Sequence, residues 1–191
     1  MGREFELKFR ADDHKHHLIR DAYADWQQIR METTYYDTPA GDLSTRKITL
    51  RRRLENGISV CTVKTPAAGG GRGEWECQCD DIVSAIDTLC KLGAPEELKH
   101  WIASGLVQRC GARFTRLCRE VVGRESVMEL ALDAGVLMGG GKEIPLCEVE
   151  LEHKDGSEEA TEAFAVAFAA QYGLMPEQKG KFQRASELVA E

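Results

Sequence analysis

Charged side chains alternate with apolar ones along many short segments of this chain, and the charged types are those that bind phosphate and metal ions. Glu4, Glu6 and Lys8 fall on one face of a predicted N-terminal strand, because successive side chains of a strand point to opposite faces. Arginine forks suit phosphate oxygens, and carboxylates suit hard divalent cations. The same spacing recurs later along the chain at Arg51, Arg53, Lys64, Arg72, Glu74, Glu76, Glu129, Asp133, Glu148, Glu150 and Glu152.

The elements that must position these residues show mainly a two-residue period. The pattern predicts strands over about 3–10, 30–38, 46–54, 58–65, 73–80, 112–121, 126–134 and 145–153, and helices over about 13–26, 82–92, 95–102, 157–172 and from 182. A hairpin turn is expected at 55–57, another at 139–141, and a flexible loop at 66–71. The fold class that follows is α+β, an eight-stranded antiparallel β-barrel with helices packed outside. We expect residues 1–191 to form a single domain.

The charged strand faces could point to solvent or to the interior of the predicted barrel. Two predicted helices offer enough apolar surface to cover the outside, through Ala163, Phe164, Val166, Ala167 and Phe168 in one and Ile82, Ile86 and Leu89 in the other. This favours charged faces that point inward. Buried ions cost several kcal/mol each unless they are paired or liganded. The interior should therefore hold a charged ligand, and a polyphosphate with Mg²⁺ or Mn²⁺ satisfies the cations and the carboxylates together.

Composition narrows the class of protein. The chain has 191 residues and a net charge of −7, which speaks against a general nucleic-acid coat. No apolar run has the length of a membrane span. Seven cysteines without a C-x-x-C pair indicate reduced thiols, and Gly139–Lys142 lacks the frame of a P-loop. We expect a cytoplasmic monomer or homodimer that binds a triphosphate-containing small molecule and neither nucleic acid nor membrane.

The charged residues also form an ordered set of motifs. In chain order they are Glu4-Phe5-Glu6-Leu7-Lys8, Tyr35-Tyr36-Asp37-Thr38-Pro39, Arg51 and Arg53 with Thr62-Val63-Lys64, Arg72-Gly73-Glu74-Trp75-Glu76, Glu148 with Glu150 and Glu152, and Lys181 with Arg184. This set resembles the CYTH family, the triphosphate tunnel metalloenzymes, over essentially the whole chain. It looks most like the bacterial inorganic triphosphatase branch.

The resemblance implies metal-dependent hydrolysis of inorganic triphosphate to pyrophosphate and phosphate. Phosphate would be held by Lys8, Arg51, Arg53, Lys64, Arg119, Lys181 and Arg184, with Lys8, Arg53 and Lys64 as catalytic residues. Mg²⁺ or Mn²⁺ would be held by Glu4, Glu6, Glu76, Glu148 and Glu150, with Glu74, Asp133 and Glu152 as further candidates. The family places one arginine of the sixth predicted strand inside, and Arg119 matches better than Arg116.

Other functions remain open at this point. A class IV adenylyl cyclase or a thiamine triphosphatase would share the fold. The cyclase would need a nucleoside pocket at the mouth of the site, and thiamine recognition would favour stacking on Trp26, Trp75 or Trp101. A polyphosphate- or nucleotide-binding module without turnover is the alternative of another class, but a pure binder of polyanions has little use for so many carboxylates.

Overall fold

The structure is a computed structural model that describes residues 2–66 and 72–190; the side chains of residues 2–4 and 190 are outside it, and so is the predicted loop at 66–71 apart from Pro66. The strands are β1 Gly2–Glu4, β2 Glu6–Arg10, β3 Gln27–Asp37, β4 Thr49–Glu55, β5 Ile58–Pro66, β6 Arg72–Gln78, β7 Val107–Val122, β8 Ser126–Gly139, β9 Lys142–Gly156 and β10 Met175–Pro176. The helices are α1 Asp13–Ala22, α2 Asp42–Thr45, α3 Ile82–Lys91, α4 Glu97–Trp101, α5 Glu158–Tyr172 and α6 Lys181–Ala190.

The ten strands form one antiparallel sheet in the order β1-β6-β5-β4-β3-β7-β8-β9-β2-β10. The prediction of a closed eight-stranded barrel is wrong, because this sheet has two ends and no strand pair among the described residues joins them. Closure would require the second edge of β2 to pair toward β6. That edge pairs instead with β10, at Phe9 and Arg10. The prediction also missed that the N-terminal strand is divided at Phe5, with β1 on β6 and β2 on β9.

Local signals explain where several elements begin and end. The predicted hairpin at 55–57 is confirmed, and Asn56 and Gly57 have φ values of 50° and 89°, the left-handed conformation that a tight hairpin turn requires. Helix α1 ends four residues before its predicted end at 26. Asp25 has a φ of 60°, and the indole Nε1 of Trp26 donates to the carbonyl oxygen of Arg20 at 3.0 Å, so the chain turns there into β3.

Apolar residues on one face of the sheet pack under helices, as the sequence predicted. Helix α3 contributes Ile82, Ile86 and Leu89 to a core with Leu50, Cys61, Val63 and Trp75 on β4–β6. Helix α5 places Ala165 and Phe168 in a second core, with Phe9, Leu130, Leu132, Val149 and Leu151 of β2, β8 and β9. Ala163, Val166 and Ala167, which were also predicted to cover the sheet, are exposed instead. None of the described helices is both long enough and apolar enough to cross a membrane.

Helix α6 packs on the opposite face of the sheet, where the charged side chains lie. Its residues Phe182 and Ala185 contact a core that includes Tyr35 and Leu137. The rings of Tyr35 and Phe182 are 5.2 Å apart. At Gly139, an added Cβ would lie 2.3 Å from the carbonyl oxygen of Ala185, so the close approach of α6 to β8 requires glycine there. The helix therefore closes one part of the charged face.

The Tyr-Tyr-Asp-Thr segment has a structural role at the end of β3. Asp37 is fully buried, and its Oδ1 accepts hydrogen bonds from the backbone N–H groups of Thr38 and Leu43 at 2.7 and 2.9 Å. Its Oδ2 accepts from the backbone N–H of Ser44 at 3.0 Å. The carboxylate thus fixes the turn that leads from β3 into α2, and it does not line the charged face.

Candidate active site

A cavity of about 910 Å³ lies against the charged face of the sheet. Strands β2 to β9 and helix α6 all contribute to its lining. Charged residues from several of the predicted strand faces thus line one cavity, although the barrel that was expected to enclose them is not closed. Eight of the predicted site residues line this cavity, namely Glu6, Lys8, Arg51, Arg53, Lys64, Glu76, Glu150 and Lys181. Of the others, Glu148, Arg184 and Arg119 are elsewhere, and the side chain of Glu4 is outside the described part.

One side of the cavity is a cation wall formed by Arg51 and Arg53 of β4 and Lys64 of β5. Their side chains are mostly buried, and Glu74 is shared between Arg51 and Lys64, at 3.6 and 3.3 Å. Arg53 is paired with Glu55. Register explains the assembly, because Arg51 lies directly opposite Thr62 on β5, two residues before Lys64.

The cation wall has unsatisfied donors. The Nε atoms of Arg51 and Arg53 are buried and have no hydrogen-bond partner among the described residues, and the same holds for the hydroxyl of Thr62. Burial and the neighbouring Arg51 lower the pKa of Arg53 below its ordinary value. Buried unpaired donors are costly. The wall is therefore short of an anion that could accept from it.

Across the cavity lies a carboxylate row that consists of Glu6, Glu152 and Glu129. Glu152 stands directly opposite Glu6 on β2 and directly opposite Glu129 on β8. Like charges that face each other across strands are destabilising. A cation lies beside each carboxylate of the row, with Lys8 at 2.8 Å from Glu6, Lys154 at 2.9 Å from Glu152 and Arg116 at 3.9 Å from Glu129.

Next to this row is an ion cluster of three carboxylates and three cations. Its members are Asp133, Glu148, Glu150, Arg116, Lys181 and Arg184. Arg116 binds Asp133 through two bonds of 2.7 Å and also contacts Glu150. Lys181 lies 2.7 Å from Asp133 and 2.8 Å from Glu150, and it also contacts Glu148, which binds Arg184 as well. The charges of the cluster sum to zero.

The protonation of the cluster follows from its pairing. Burial alone would raise the pKa of Glu150, but Lys181 and Arg116 outweigh burial and hold it well below its usual range. Likewise burial would lower the pKa values of Arg116 and Lys181, while the surrounding carboxylates raise both above their ordinary values. All three groups therefore stay charged near neutral pH.

The donor set of the cavity fits a hard divalent cation. Carboxylate oxygens are the ligands that Mg²⁺ and Mn²⁺ prefer, and the carboxylate row brings three such groups to the lining of the cavity. Asp133, Glu148 and Glu150 also bring oxygens within 4.8 Å of one another. These three are already neutralised by Arg116, Lys181 and Arg184. The row is the more accessible of the two sets from the cavity, and the assignment of Glu148 as a metal ligand stays a prediction.

Arg119 does not line the cavity, so the preference for Arg119 over Arg116 is wrong. Its Nη1 donates to the carbonyl oxygen of Ala24 at 2.6 Å, and its guanidinium group stacks on Tyr23 at 5.2 Å. Arg116 lies in the cavity instead. The signal was present in the phase of β7, because Leu117 and Val121 share a face with Arg119 and pack in the outer core.

Other residues of the site were ranked too low from sequence. Asp133, predicted only as a further metal candidate, lies in the interior of β8, opposite Arg116 on β7 and Glu148 on β9. Glu152 was likewise only a further candidate, and Glu129 only a member of a charged strand face. Strand pairing brings all of these residues to one site, and sequence periodicity alone does not reveal which strands are neighbours.

No tryptophan lines the cavity among the described residues. Trp75 and Trp101 pack in the core under α3, and Trp26 packs in the core under α5. A second pocket of about 490 Å³ shares Ile29, Glu55 and Glu76 with the cavity and adds Ile58 and Val60. It forms an acidic and partly apolar extension beside the β4–β5 turn.

Comparisons with known proteins agree with this geometry. The family model of the CYTH domain matches residues 2–186. An inorganic triphosphatase from Haemophilus influenzae is 27% identical over 164 residues, which are 82% of this chain and 47% of that protein. The chain thus spans about half the length of this curated relative.

Solved structures show the same fold. One is a Hippeastrum protein described as a putative adenylyl cyclase with a dominant triphosphatase activity. It has a TM-score of 0.67 at 18% identity, and the match covers 98% of this chain and 97% of the Hippeastrum chain. A putative adenylate cyclase from Bacillus halodurans has a TM-score of 0.62 at 17% identity, with 96% and 98% covered.

Proposed function

Because this chain belongs to the CYTH domain family, we propose that it is a metal-dependent triphosphatase that hydrolyses inorganic triphosphate to pyrophosphate and phosphate. The proposal treats residues 1–191 as one domain. The observation that carries it is the cation wall, where the buried Nε atoms of Arg51 and Arg53 have no partner among the described residues. A linear polyphosphate supplies the missing acceptors, and the carboxylate row opposite supplies ligands for its metal.

The roles of the residues follow from their places in the cavity. Arg51, Arg53 and Lys64 would bind phosphate oxygens from one side, and Lys8, Arg116 and Lys181 would bind from the other. Phosphoryl transfer depends mainly on such positioning and charge neutralisation. In the reaction a water oxygen bonds to the terminal phosphorus while the anhydride P–O bond breaks, and pyrophosphate leaves.

Glu6, Glu129 and Glu152 would hold Mg²⁺ or Mn²⁺, with Glu150 and Glu76 near them in the cavity lining. A bound ion of this kind neutralises phosphate charge and makes a coordinated water more acidic. Lys8 Nζ donates to Oε1 of Glu6 at 2.8 Å, which leaves the other carboxylate oxygen of Glu6 for a metal ion. Removal of the metal should therefore abolish turnover.

A second candidate is hydrolysis or cyclisation of a nucleoside triphosphate. The pocket that adjoins the cavity favours it, because Ile29, Ile58 and Val60 offer an apolar surface for a base. Thiamine triphosphate has less support, since the described tryptophans pack away from the cavity and offer no ring for stacking.

The test is phosphate release from tripolyphosphate, ATP and thiamine triphosphate, each with Mg²⁺, Mn²⁺ or chelator, with cyclic AMP followed in the ATP reaction. Arg53→Ala serves as the site variant and Arg113→Ala, an exposed arginine on β7, as the matched control. We expect metal-dependent release from tripolyphosphate, lost only in Arg53→Ala. Formation of cyclic AMP and pyrophosphate from ATP would show that the protein is an adenylyl cyclase instead. Binding without turnover of any substrate would leave a polyphosphate-binding module.

A further inference from the structure

We propose that Asp133 is a positioning residue: it holds the guanidinium group of Arg116 in the orientation that binds phosphate, and neither Asp133 nor Glu148 is a metal ligand. This inference rests on the proposed function, because the orientation of Arg116 matters only where the cavity binds phosphate. It concerns the one described group of three carboxylates with oxygens within 4.8 Å of one another.

The cavity gives access to two cations of the cluster but not to two of its carboxylates. The side chains of Asp133 and Glu148 have no exposed surface, and neither residue belongs to the lining of the cavity. Arg116 and Lys181 do line it. The two carboxylates therefore lie behind the two cations as seen from the cavity, and a ligand reaches the cations first.

The carboxylate oxygens of Asp133 and Glu148 already have cationic partners. Asp133 Oδ1 accepts from Nε of Arg116 at 2.7 Å, and Oδ2 accepts from Nη2 of Arg116 and from Nζ of Lys181, both at 2.7 Å. The oxygens of Glu148 are taken by Lys181 and Arg184. A divalent cation bound here would have to displace these partners and would lie next to three positive charges.

The two parallel hydrogen bonds from Arg116 to Asp133 form a fork that fixes the orientation of the guanidinium group. Two parallel N–H···O bonds fix the plane of a guanidinium group, and a lysine in its place could not donate such a pair from two fixed nitrogens. With Nε and Nη2 bound to Asp133, Nη1 of Arg116 remains, 3.9 Å from Glu129 of the carboxylate row. Asp133 thus presents Nη1 at the edge of the row, where a metal-bound phosphate would lie.

The test compares Asp133→Asn, Arg116→Lys and the double variant with wild type. Loss of the fork should raise KM for tripolyphosphate about tenfold or more, as expected when a charge-assisted bond is lost, in either single variant. The metal concentration for half-maximal activity should change less than about twofold, because no metal ligand is altered. The double variant should be no worse than Arg116→Lys alone, since Asp133 acts through Arg116. Glu143→Gln, in the exposed pair with Arg113, is the control that should behave as wild type.

Binding of tripolyphosphate in chelator, measured by calorimetry, is the second readout, and it does not depend on turnover. The wild-type protein should bind tripolyphosphate with an affinity about tenfold or more higher than that of either single variant. A raised metal requirement in Asp133→Asn would overturn the inference and make Asp133 a metal ligand. A further loss of affinity in the double variant would also overturn it, because Asp133 would then not act through Arg116 alone but also through its other partner, Lys181. If Asp133→Asn does not fold, Arg116→Lys decides, because an unchanged KM and affinity in that variant would also overturn it. Failure of the proposed function would appear in wild type as absent turnover, whereas failure of this inference appears only in the variants.

Discussion

The two sides of the cavity solve the problem of buried charge in different ways. In the ion cluster, Arg116 is bound through two bonds of 2.7 Å to Asp133 and contacts Glu150, and each cation faces a carboxylate. In the cation wall, Arg51 and Lys64 share one carboxylate at 3.6 and 3.3 Å. The pKa of Arg116 is raised by its partners, whereas burial and Arg51 lower that of Arg53.

This contrast separates structural charge from functional charge within one site. A buried ion network with matched partners holds α6 against the sheet, and its cations are compensated even before Arg116 and Lys181 meet a phosphate. A group of buried cations with unsatisfied donors is poorly compensated until an anion binds. The cluster therefore contributes to stability as well as to ligand binding, whereas the cation wall contributes mainly to ligand binding, and substitutions should tell the two sides apart.

The largest effect should come from breaking the ion cluster. Arg116→Leu leaves Asp133 and Glu150 buried with Lys181 as their remaining described partner, which should lower the free energy of unfolding by about 3–5 kcal/mol. Urea unfolding followed by circular dichroism measures it. A change below about 1 kcal/mol would show that the cluster contributes little to stability, as is usual for exposed pairs.

The cation wall should respond in the opposite way. Arg53→Ala removes a buried, undercompensated cation, so the melting temperature should stay unchanged or rise, while kcat/KM for tripolyphosphate should fall about 100-fold, equivalent to about 2.7 kcal/mol. Lys8→Ala should also cripple turnover without unfolding the protein. Differential scanning calorimetry and phosphate release provide the two readouts. If both variants kept full activity, the assignment of the cavity would be wrong.

The pH dependence of stability should identify the cluster at alkaline pH. The carboxylates raise the pKa of Lys181 above its ordinary 10.5 despite burial, so the folded protein keeps a proton that the unfolded chain loses. This contribution is complete below about pH 10.5 and is lost as the pH rises above it, by up to about 1.4 kcal/mol per pH unit. Urea unfolding at pH 9.0 and 11.5 should show a smaller decrease in Lys181→Met than in wild type. Equal decreases would exclude Lys181 as the source.

The smallest effect is expected for Arg119→Ala, outside both regions. Its stacking on Tyr23 contributes about 0.5–1 kcal/mol at an accessible site, and it has no contact with the cavity. Turnover of tripolyphosphate should remain within about twofold of wild type, as for other surface substitutions. A loss of turnover as large as that of Arg53→Ala would show that Arg119, and not Arg116, is the arginine of β7 that belongs to the site.

Sequence alternation predicted which face of most strands carries the charge, because the period of two is a local property. It therefore placed Lys8, Arg53 and Lys64 correctly in one cavity. It did not predict that the second edge of β2 pairs with β10, since a strand of two residues leaves almost no pattern. Nor did it show that Glu148 is buried behind Lys181. That depends on where α6 packs, which is a tertiary contact.

The pairing of the N-terminal strand β2 with β9, near the other end of the chain, affects how the protein folds. Lys8 pairs in register with Glu150, and Lys181 contacts the same carboxylate, so the cavity combines residues from both ends of the sequence. Such non-local pairings close large loops of chain and slow folding. During synthesis, the residues of β2 emerge long before β9 exists to pair with them. The site should thus be among the last parts to assemble, and chains released early should expose an unpaired, aggregation-prone edge.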